Sequence, residues 1–400
     1  MALKRYLSMA EGKYLLDIGS SGGSIQADWV LSGGGGSYCH YLLPACLKVA
    51  DAMKTLTIVG PRGGGYDLKW SGGRQGAEVF FTDLCPPGPY DFITFDPREY
   101  NLSHSLEMLG HIAASIHQYG SFLTVVGANT SLCDWERELY RWFHKVEKLD
   151  FGEAKAAQPV VLLSTQPKGN SNAAIQYWAW PMSFSGETYE FKGAPGVFSP
   201  RSLDKGTEFM LVKMEKTTGL SCKGRFLDLG CGTGAVSVIA SRQFGFQVTA
   251  VDINARALRL TEINCKANEA SNVRILASDG LTGLRQDAKF DIIASNPPYH
   301  TDYQVAKGFI EGAYRHLDKG GQLYLVIKRA DWYARKLESV FGGYTRWEQE
   351  GYTLLMAERR DGLPGRNKMV GGNGEGRAKK RKHAKRLQDT ERRKSRRRFK

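Results

Sequence analysis

The chain has 400 residues, of which 42% are hydrophobic and 24% are charged. This length predicts two or three domains with cores of their own, and the composition excludes a fibrous repeat or a largely disordered chain. The formal net charge of +14 is confined to one end. Residues 359–400 hold 18 basic and 4 acidic side chains, so the remainder of the chain is formally neutral.

Membrane and secretory classes are not indicated. No segment approaches the ~20 consecutive apolar residues that cross a bilayer, and the N-terminal residues reach Glu11 without the apolar stretch of a secretory signal. Seven cysteines without a Cys-x-x-Cys pair argue against a disulfide framework and against a zinc site. We expect a cytoplasmic protein with no bound metal and no membrane contact.

The first 165 residues contain a pattern that returns 200 residues later. Tyr90–Asp96 resembles Phe290–Asn296, and Gly120–Val126 resembles Gly320–Val326. A helix-length stretch lies between the two segments in both cases. We interpret the pattern as an internal duplication, with chance similarity between buried strands as the alternative.

A boundary between two halves is predicted near residues 166–172, where Gln-Pro-Lys-Gly-Asn-Ser-Asn is typical of a loop. The aromatic stretch that follows is broken by Ser185-Gly186, which predicts a hairpin. After it, Asp204 is predicted to cap a helix that carries Phe209 and Met214 and ends near Gly219.

From residue 225 to residue 359, apolar runs alternate with amphipathic, helix-length segments. The predicted strands begin at Phe226, Gln247, Val273, Phe290, Gln322 and Thr353, and the predicted helices lie near 233–243, 255–268, 304–317 and 331–341. This alternation predicts a mainly parallel sheet with helices on both faces. Such sheets bind ligands beyond the carboxyl ends of their strands.

A glycine-rich turn, Asp228-Leu-Gly230-Cys-Gly232-Thr-Gly234, follows the first of these strands. Glycines there allow a tight turn and close approach of a ligand to the backbone. Asp252 ends the next strand, where a carboxylate suits the two hydroxyls of a ribose, and Asp279 follows the third, where it can accept from an adenine amine. The turn has no basic residue for a pyrophosphate. S-adenosylmethionine, with its sulfonium and amino groups, therefore fits better than a dinucleotide.

The turn resembles the first motif of the class I S-adenosylmethionine-dependent methyltransferases. The resemblance implies that Asp228, Gly230 and Gly232 border the methionine portion of the cofactor. It also implies that Asp252 holds the ribose and that Asp279 lies near the adenine.

The segment Asn296-Pro297-Pro298-Tyr299 follows the fourth strand, at the same sheet edge. Two prolines stop strand pairing and fix the backbone. The Asn296 side-chain oxygen and the Pro297 carbonyl can accept hydrogen bonds from an exocyclic amine and direct its lone pair toward a methyl carbon. Tyr299 offers a face on which an extruded base can stack. Asn296 also borders the predicted cofactor site, and in-line methyl transfer needs no metal or catalytic cysteine.

The segments Pro195–Thr207, Asn296–His300 and Gly312–Gly321 resemble the methyltransferase small-domain family, in particular its RsmC/RlmG-like ribosomal RNA guanine-N2-methyltransferases. The resemblance covers roughly residues 193–358 and implies methyl transfer to guanine N2 in ribosomal RNA or a ribosomal subunit. Methyltransferases of adenine N6 and of protein glutamine share the Asn-Pro-Pro-Tyr motif. A DNA-adenine or protein-glutamine N-methyltransferase therefore remains an alternative, as does a noncatalytic RNA-binding or ribosome assembly factor.

The first half lacks both functional motifs. Asp96-Pro97-Arg98 stands in place of Asn-Pro-Pro. The glycines of Leu16–Gly23 should be followed by a helix, but Gly33–Gly36 interrupts it. The apolar run Thr57–Gly60 is not followed by an acid that could bind a ribose. We expect this half to bind no cofactor and to support the second half or contact RNA. A purely structural role is the alternative.

Residues beyond Gly362 are glycine-rich and then strongly basic, which predicts a disordered tail that binds the phosphate backbone of RNA without reading sequence. The predicted organisation is an α/β chain in four parts. These are a degenerate methyltransferase-like domain (1–165), a linker and hairpin (166–192), a Rossmann-like methyltransferase domain (193–361) and the disordered basic tail (362–400). The pattern indicates no oligomeric state.

Overall fold

The computed structural model describes residues 14–19, 36–52, 56–59, 68–72, 77–127, 131–149, 159–169, 175–218, 224–297 and 303–360. Within these ranges the chain forms two large mixed sheets, with a two-stranded hairpin between them in sequence.

The first sheet contains nine strands among the described residues. They are β1 Leu15–Ile18, β2 Gly36–His40, β3 Leu56–Val59, β4 Leu68–Gly72, β5 Ala77–Phe81, β6 Tyr90–Phe95, β7 Ile116–Val126, β8 Phe143–Leu149 and β9 Val160–Pro167. Their order across the sheet is β3-β4-β5-β2-β1-β6-β7-β9-β8. Helices α1 Leu43–Ala52, α2 Leu102–Ser115 and α3 Leu132–Trp142 belong to this half. Its core joins Ile93 and Phe122 of the sheet to Leu109 of α2 and Leu139 of α3.

The hairpin consists of β10 Trp178–Phe184 and β11 Glu187–Gly193, paired antiparallel. Ser185 and Gly186 have positive φ values of 50° and 81°, the geometry that a two-residue hairpin loop requires. The predicted hairpin is therefore confirmed. Its buried aromatic side chains, including Trp180 and Phe191, pack in the same core as the helices of the second half.

The second sheet contains β12 Arg225–Leu229, β13 Gln247–Asp252, β14 Val273–Ala277, β15 Phe290–Ser295, β16 Leu317–Ile327, β17 Thr345–Gln349 and β18 Tyr352–Glu358, in the order β14-β13-β12-β15-β16-β18-β17. The first five strands pair in parallel, and β18 is antiparallel to both neighbours. Helices α4 Lys205–Thr218, α5 Ala235–Arg242, α6 Ala255–Ala267, α7 Tyr303–His316 and α8 Ala330–Phe341 accompany it. Separate apolar cores cover its two faces. The predicted Rossmann-like α/β fold is confirmed.

The two sheets repeat one topology. The run β5-β2-β1-β6-β7-β9-β8 has the same strand order and the same parallel and antiparallel pairs as β14-β13-β12-β15-β16-β18-β17. Even the register shift is shared, between Tyr90 and Phe92 in one half and between Phe290 and Ile292 in the other. The predicted internal duplication is confirmed, and β3 and β4 extend the first sheet at one edge.

Register also identifies equivalent positions. Asp17 pairs with Tyr38 as Asp228 pairs with Ala250, so His40 occupies the position of Asp252. The prediction that Thr57–Gly60 is the equivalent of the ribose-binding strand was wrong, because β3 lies at the far edge of the sheet. The predicted interruption of a helix at Gly33–Gly36 falls almost entirely outside the described residues.

Backbone hydrogen bonds join the two halves at the loop that follows β13. Leu43 N–H donates to the Ile253 carbonyl at 2.8 Å, and Ala255 N–H donates to the Tyr41 carbonyl at 2.8 Å. Leu42 and Asn254 form an antiparallel bridge between them. The first half thus holds the loop immediately after Asp252.

A buried ion cluster forms a second junction. Arg256, at the start of α6, is 1% exposed and contacts Asp83 (Nε to Oδ2, 3.2 Å) and Glu107 (Nη2 to Oε1, 2.9 Å) of the first half. Arg259 also reaches Asp83, at 2.8 Å. Burial raises the pKa of Glu107, and the Arg256 guanidinium opposes that shift. Each charge therefore depends on a partner from the other half.

Candidate functional site

The glycine turn lies between β12 and α5, at the carboxyl edge of the second sheet. Gly230, Gly232 and Gly234 all have positive φ values, which favour glycine. A Cβ added at Gly230 or Gly232 would meet no atom within 4 Å, whereas at Gly234 it would lie 2.9 Å from Thr261 Cα. The first two glycines therefore border open space, and the third permits packing of α5 on α6.

Asp228 is buried at the end of β12, and its Oδ2 accepts a 2.6 Å hydrogen bond from Ser237 Oγ of α5. Burial raises the pKa of this carboxyl to about 7, the Ser237 hydrogen bond opposes the shift, and the charge of Asp252 adds to it. Burial thus makes ionisation of Asp228 sensitive to any positive charge placed beside it.

Asp252 links the turn to the loop that the first half holds. Its two carboxylate oxygens accept hydrogen bonds from Gly232 N–H and Asn254 N–H, each at 3.0 Å. Burial raises its pKa, and these backbone donors oppose the shift. Asp279 lies in the turn after β14, with an exposed side chain. Both acids lie at the sheet edge where they were predicted, and their assignment to ribose and adenine stays a prediction.

Asn296 follows β15 directly and is half-buried. Its Nδ2 donates to Asp204 Oδ2 at 2.9 Å and to Thr207 Oγ1 at 3.0 Å. Next to it, Ser295 Oγ donates to the Leu229 carbonyl at 2.7 Å, which ties the end of β15 to the end of β12. Pro297 is buried. Tyr299, with Pro298 and His300, lies outside the described residues.

The sequence predicts Asp204 as a helix cap, and this is confirmed, because its Oδ2 accepts from Thr207 N–H at 3.1 Å and its carbonyl accepts from Glu208 N–H. Its contact with Asn296 was missed. So was Tyr352 of β18, whose hydroxyl donates to Asp204 Oδ1 at 3.1 Å. No local pattern indicates these contacts, which join residues 92 and 148 positions apart.

The corresponding edge of the first half is filled by aromatic side chains. A Cβ added at Gly19, the equivalent of Gly230, would lie 2.8 Å from the Tyr100 ring. Tyr100 packs in turn on Tyr41 and His104, with ring centroids 4.6 and 5.0 Å away. Asp96 accepts from the Arg98 guanidinium instead of facing a ligand. Within the described residues, Gly19 therefore lacks the open space that borders Gly230, and the absence of a cofactor from the first half stays a prediction.

Among the described residues, no group of three or more His, Cys, Asp or Glu side chains is arranged to hold a metal ion. Nor does any helix in the described ranges have the length and apolar character needed to cross a membrane.

Residues 188–356 match the family model of the methyltransferase small domain. This segment, less than half of the chain, is similar to the methyltransferase small domain. The match runs from the second hairpin strand into β18, so the matched segment includes the glycine turn, Asp204 and Asn296. The resemblance identified from the sequence is therefore confirmed.

Curated proteins that are similar to this chain align with it over different lengths. The protein named "Ribosomal RNA small subunit methyltransferase C" from Marinomonas sp. is 32% identical over 183 residues, and the chain spans about half of it (51%) and 44% of its own length. Proteins of the same name from Acinetobacter baylyi and Pseudomonas aeruginosa are 29% and 27% identical. Those alignments cover 70% and 80% of this chain and 81% and 94% of the relatives.

One solved structure covers both halves. The T. thermophilus 16S rRNA N2 methyltransferase RsmC, determined in complex with AdoMet and guanosine, has a TM-score of 0.74 to this chain at 20% identity. The superposition covers 90% of this chain and 92% of that chain. The fold shared with RsmC therefore extends beyond the matched segment to the first half.

Proposed function

We propose that this chain transfers a methyl group from S-adenosylmethionine to the exocyclic N2 amine of a guanine in ribosomal RNA. The observation that carries the proposal is the Asn296 amide, at the sheet edge that also bears the glycine turn. Its N–H groups are directed at Asp204 and Thr207, so its oxygen lies on the opposite side of the amide. The names of the curated relatives support ribosomal RNA as the substrate.

The residues at this edge fit S-adenosylmethionine, which when bound supplies an electrophilic methyl group on a sulfonium. Gly230 and Gly232 leave open space against the backbone. The buried Asp228 favours a cationic neighbour, because a positive charge offsets the cost of ionising it. Asp252 is assigned to the ribose hydroxyls and Asp279 to the adenine.

Asn296 and Pro297 orient the amine in this proposal. An exocyclic amine conjugated to a ring is a poor nucleophile, and acceptance of its two N–H groups by Asn296 Oδ1 and the Pro297 carbonyl directs its lone pair toward the methyl carbon. The amine would take the methyl group as the C–S bond of S-adenosylmethionine breaks, S-adenosylhomocysteine would leave, and the N2 proton would pass to solvent water. Catalysis here consists of orientation and charge placement. Tyr299 is assigned to stacking on the extruded base.

The test is transfer of labelled methyl from S-adenosylmethionine to ribosomal subunits and to naked ribosomal RNA from a strain that lacks this protein, followed by nucleoside analysis. Label in N2-methylguanosine is the expected result. Label in another nucleoside overturns the guanine assignment. Label in protein or DNA alone favours a glutamine or adenine N-methyltransferase, and no label in any acceptor favours a noncatalytic RNA-binding role.

Residues 362–400 lie outside the described ranges, and their predicted disorder is untested. We assign them, from their charge alone, to nonspecific contact with the RNA backbone. Each phosphate contact adds about 0.7–0.9 to the negative slope of log affinity against log salt concentration. Deleting 362–400 should weaken RNA binding and flatten that slope, with turnover at saturating RNA retained.

A full-length control in which the Lys and Arg residues of 377–398 are replaced by Gln should behave like the deletion. An unchanged salt slope in both proteins excludes the tail as an anchor. The division of the chain into domains at residues 165, 192 and 361 remains a proposal. We also propose that the protein acts in the cytoplasm, because the proposed substrate is ribosomal RNA.

A further inference from the structure

Asparagine has two nearly isosteric orientations, related by exchange of Oδ1 and Nδ2. For the reaction proposed above, only one is productive. With Oδ1 toward the substrate, Asn296 accepts from the amine. With Nδ2 toward it, Asn296 presents hydrogen atoms to the hydrogen atoms of the amine and directs no lone pair. Whatever fixes this rotation therefore controls the reaction.

Asp204 lies on the inner side of the amide. An ionised carboxylate only accepts hydrogen bonds, so at 2.9 Å from Asp204 Oδ2 the amide must present its nitrogen. The reverse orientation would place the Asn296 oxygen against the carboxylate oxygen. Thr207 Oγ1, 3.0 Å from Nδ2, receives the second N–H.

Asp204 is itself held firmly. Its carboxylate accepts from Thr207 N–H, from Asn296 Nδ2 and from the Tyr352 hydroxyl. Its carbonyl begins α4, which buries Phe209, Met210, Leu211 and Met214 in the core. Gly206 lets Tyr352 approach, because a Cβ there would lie 2.6 Å from the tyrosine ring. The carboxylate therefore has little freedom to follow a rotated amide.

We propose that Asp204 is a positioning residue of the methyl-transfer reaction, whose carboxylate fixes the Asn296 amide with its oxygen toward the substrate. This inference rests on the proposed function, and it extends the site to Thr207 and Tyr352. Asp204 does not touch the reacting atoms.

Two substitutions separate this role from helix capping. Asp204→Asn keeps an oxygen that can accept from Thr207 N–H and from Asn296 Nδ2, while its own amide donates to the Tyr352 hydroxyl. Asp204→Ser is also a good helix cap, but its single oxygen lies one bond nearer the backbone and cannot serve Asn296 as well. The expected result is a kcat within about 3-fold of wild type for Asp204→Asn and a loss of about 10- to 100-fold for Asp204→Ser.

The Kd for S-adenosylmethionine and the KM for RNA should stay within a few-fold in both proteins. Thr207→Val and Tyr352→Phe, which keep shape and remove one hydroxyl each, should give smaller losses in kcat. Asn101→Ala removes the cap of α2 in the first half, where Asn101 Oδ1 accepts from His104 N–H at 2.8 Å. This control variant shows what the loss of a helix cap alone does to kcat, and we expect no change.

A Ser variant with wild-type kcat overturns the inference, because capping would then be the only role of Asp204. An Asn variant as slow as the Ser variant also overturns it, because charge rather than amide orientation would then matter.

A readout independent of activity is the side-chain amide signal of Asn296 in protein labelled with ¹⁵N-asparagine, assigned by its loss in Asn296→Ala. Slow hydrogen exchange is expected in wild type and in Asp204→Asn, and fast exchange in Asp204→Ser. Fast exchange in wild type contradicts the fixed amide. If wild type forms no N2-methylguanosine, the proposed function fails, but the exchange data still decide whether Asp204 fixes Asn296.

Discussion

Replacing Asn296 with alanine removes the amide oxygen that the proposed reaction uses and leaves the glycine turn unchanged. We expect kcat to fall by about 100- to 1,000-fold, the range measured when one preorganised hydrogen-bonding group is removed from an active site. The Kd for S-adenosylmethionine, measured by calorimetry, should stay within a few-fold.

The matched control is Asp96→Ala at the equivalent position of the first half, where the side chain pairs with Arg98. This variant should keep wild-type turnover. Substantial activity in Asn296→Ala contradicts the role given to the amide.

The pKa of Asp228, raised by burial to about 7, predicts how cofactor affinity depends on pH. A cationic ligand favours the ionised carboxylate, so below pH 7 the protein must release a proton to bind it. Affinity for S-adenosylmethionine should therefore rise roughly tenfold between pH 6 and pH 7.5. Asp228→Asn should bind more weakly and lose this pH dependence, whereas an equally steep profile in the variant contradicts the assignment.

The same group affects the stability of the ligand-free protein with a defined sign. Because its pKa is higher in the folded state than in the unfolded chain, Asp228 stabilises the fold most at low pH, and that contribution is lost as pH rises from about 4 to about 7. In urea unfolding, the difference in the free energy of unfolding between Asp228→Asn and wild type should shift in favour of the variant by roughly 2–4 kcal/mol from pH 4 to pH 8.

Much of the site could be predicted from the sequence, because the strands of a parallel sheet end at one edge and the residues that follow each strand lie close together there. Asp228, Asp252 and Asn296 follow from that rule. The Asp204 contact does not, since it depends on how α4 packs across the sheet. Tertiary placement of this kind leaves no local pattern.

At the scale of elements, the glycines of the turn between β12 and α5 have two different roles. Gly230 borders open space that a ligand can fill, and Gly234 permits α5 to pack on α6. Gly230→Ala and Gly234→Ala both force alanine into a positive φ, which costs about 1–2 kcal/mol. Only Gly234→Ala also brings a methyl group to 2.9 Å from Thr261 Cα. Thermal unfolding should show a much larger loss of stability for Gly234→Ala.

Gly230→Ala should instead lower the affinity for S-adenosylmethionine by at least about tenfold, because its methyl group points into the open space. Calorimetric binding on the folded protein measures this. Equal affinities of Gly230→Ala and wild type would place the cofactor elsewhere.

The element boundaries show which signals in the sequence are reliable. The largely apolar run Val273–Ala277 was predicted with the bounds that the structure shows. Strand β17, Thr-Arg-Trp-Glu-Gln, was missed because it lies at the sheet edge and its side chains are mostly exposed. In the first half, β3 was mistaken for the strand beside β1, since an apolar run does not show its place in the sheet order.

At the scale of the whole molecule, the buried ion cluster makes the halves depend on each other. Asp83→Ala leaves Arg256 buried without one of its two acidic partners, and loss of one partner from a buried pair costs about 3–5 kcal/mol. Because Arg256 begins the helix after Asp252, cofactor affinity should fall as well. Denaturant unfolding and calorimetric binding measure the two effects.

The control is Asp134→Ala, which removes an exposed pair with Arg137 and should change stability by less than about 1 kcal/mol. Wild-type stability of Asp83→Ala would show that the cluster contributes little. A loss of stability with unchanged affinity would limit the first half to a scaffold role.

The residues of the buried ion cluster lie far apart along the chain, so they are synthesised at different times. Asp83 and Arg256 are 173 residues apart, and a ribosome adding about 5–20 residues per second takes roughly 10–35 s to cover that distance. Throughout this interval the emerging first half contains an acid whose partner has not been synthesised. Its surface around Asp83 must stay hydrated until α6 leaves the exit tunnel. We therefore expect the N-terminal half to be made first and to complete its folding together with the C-terminal half.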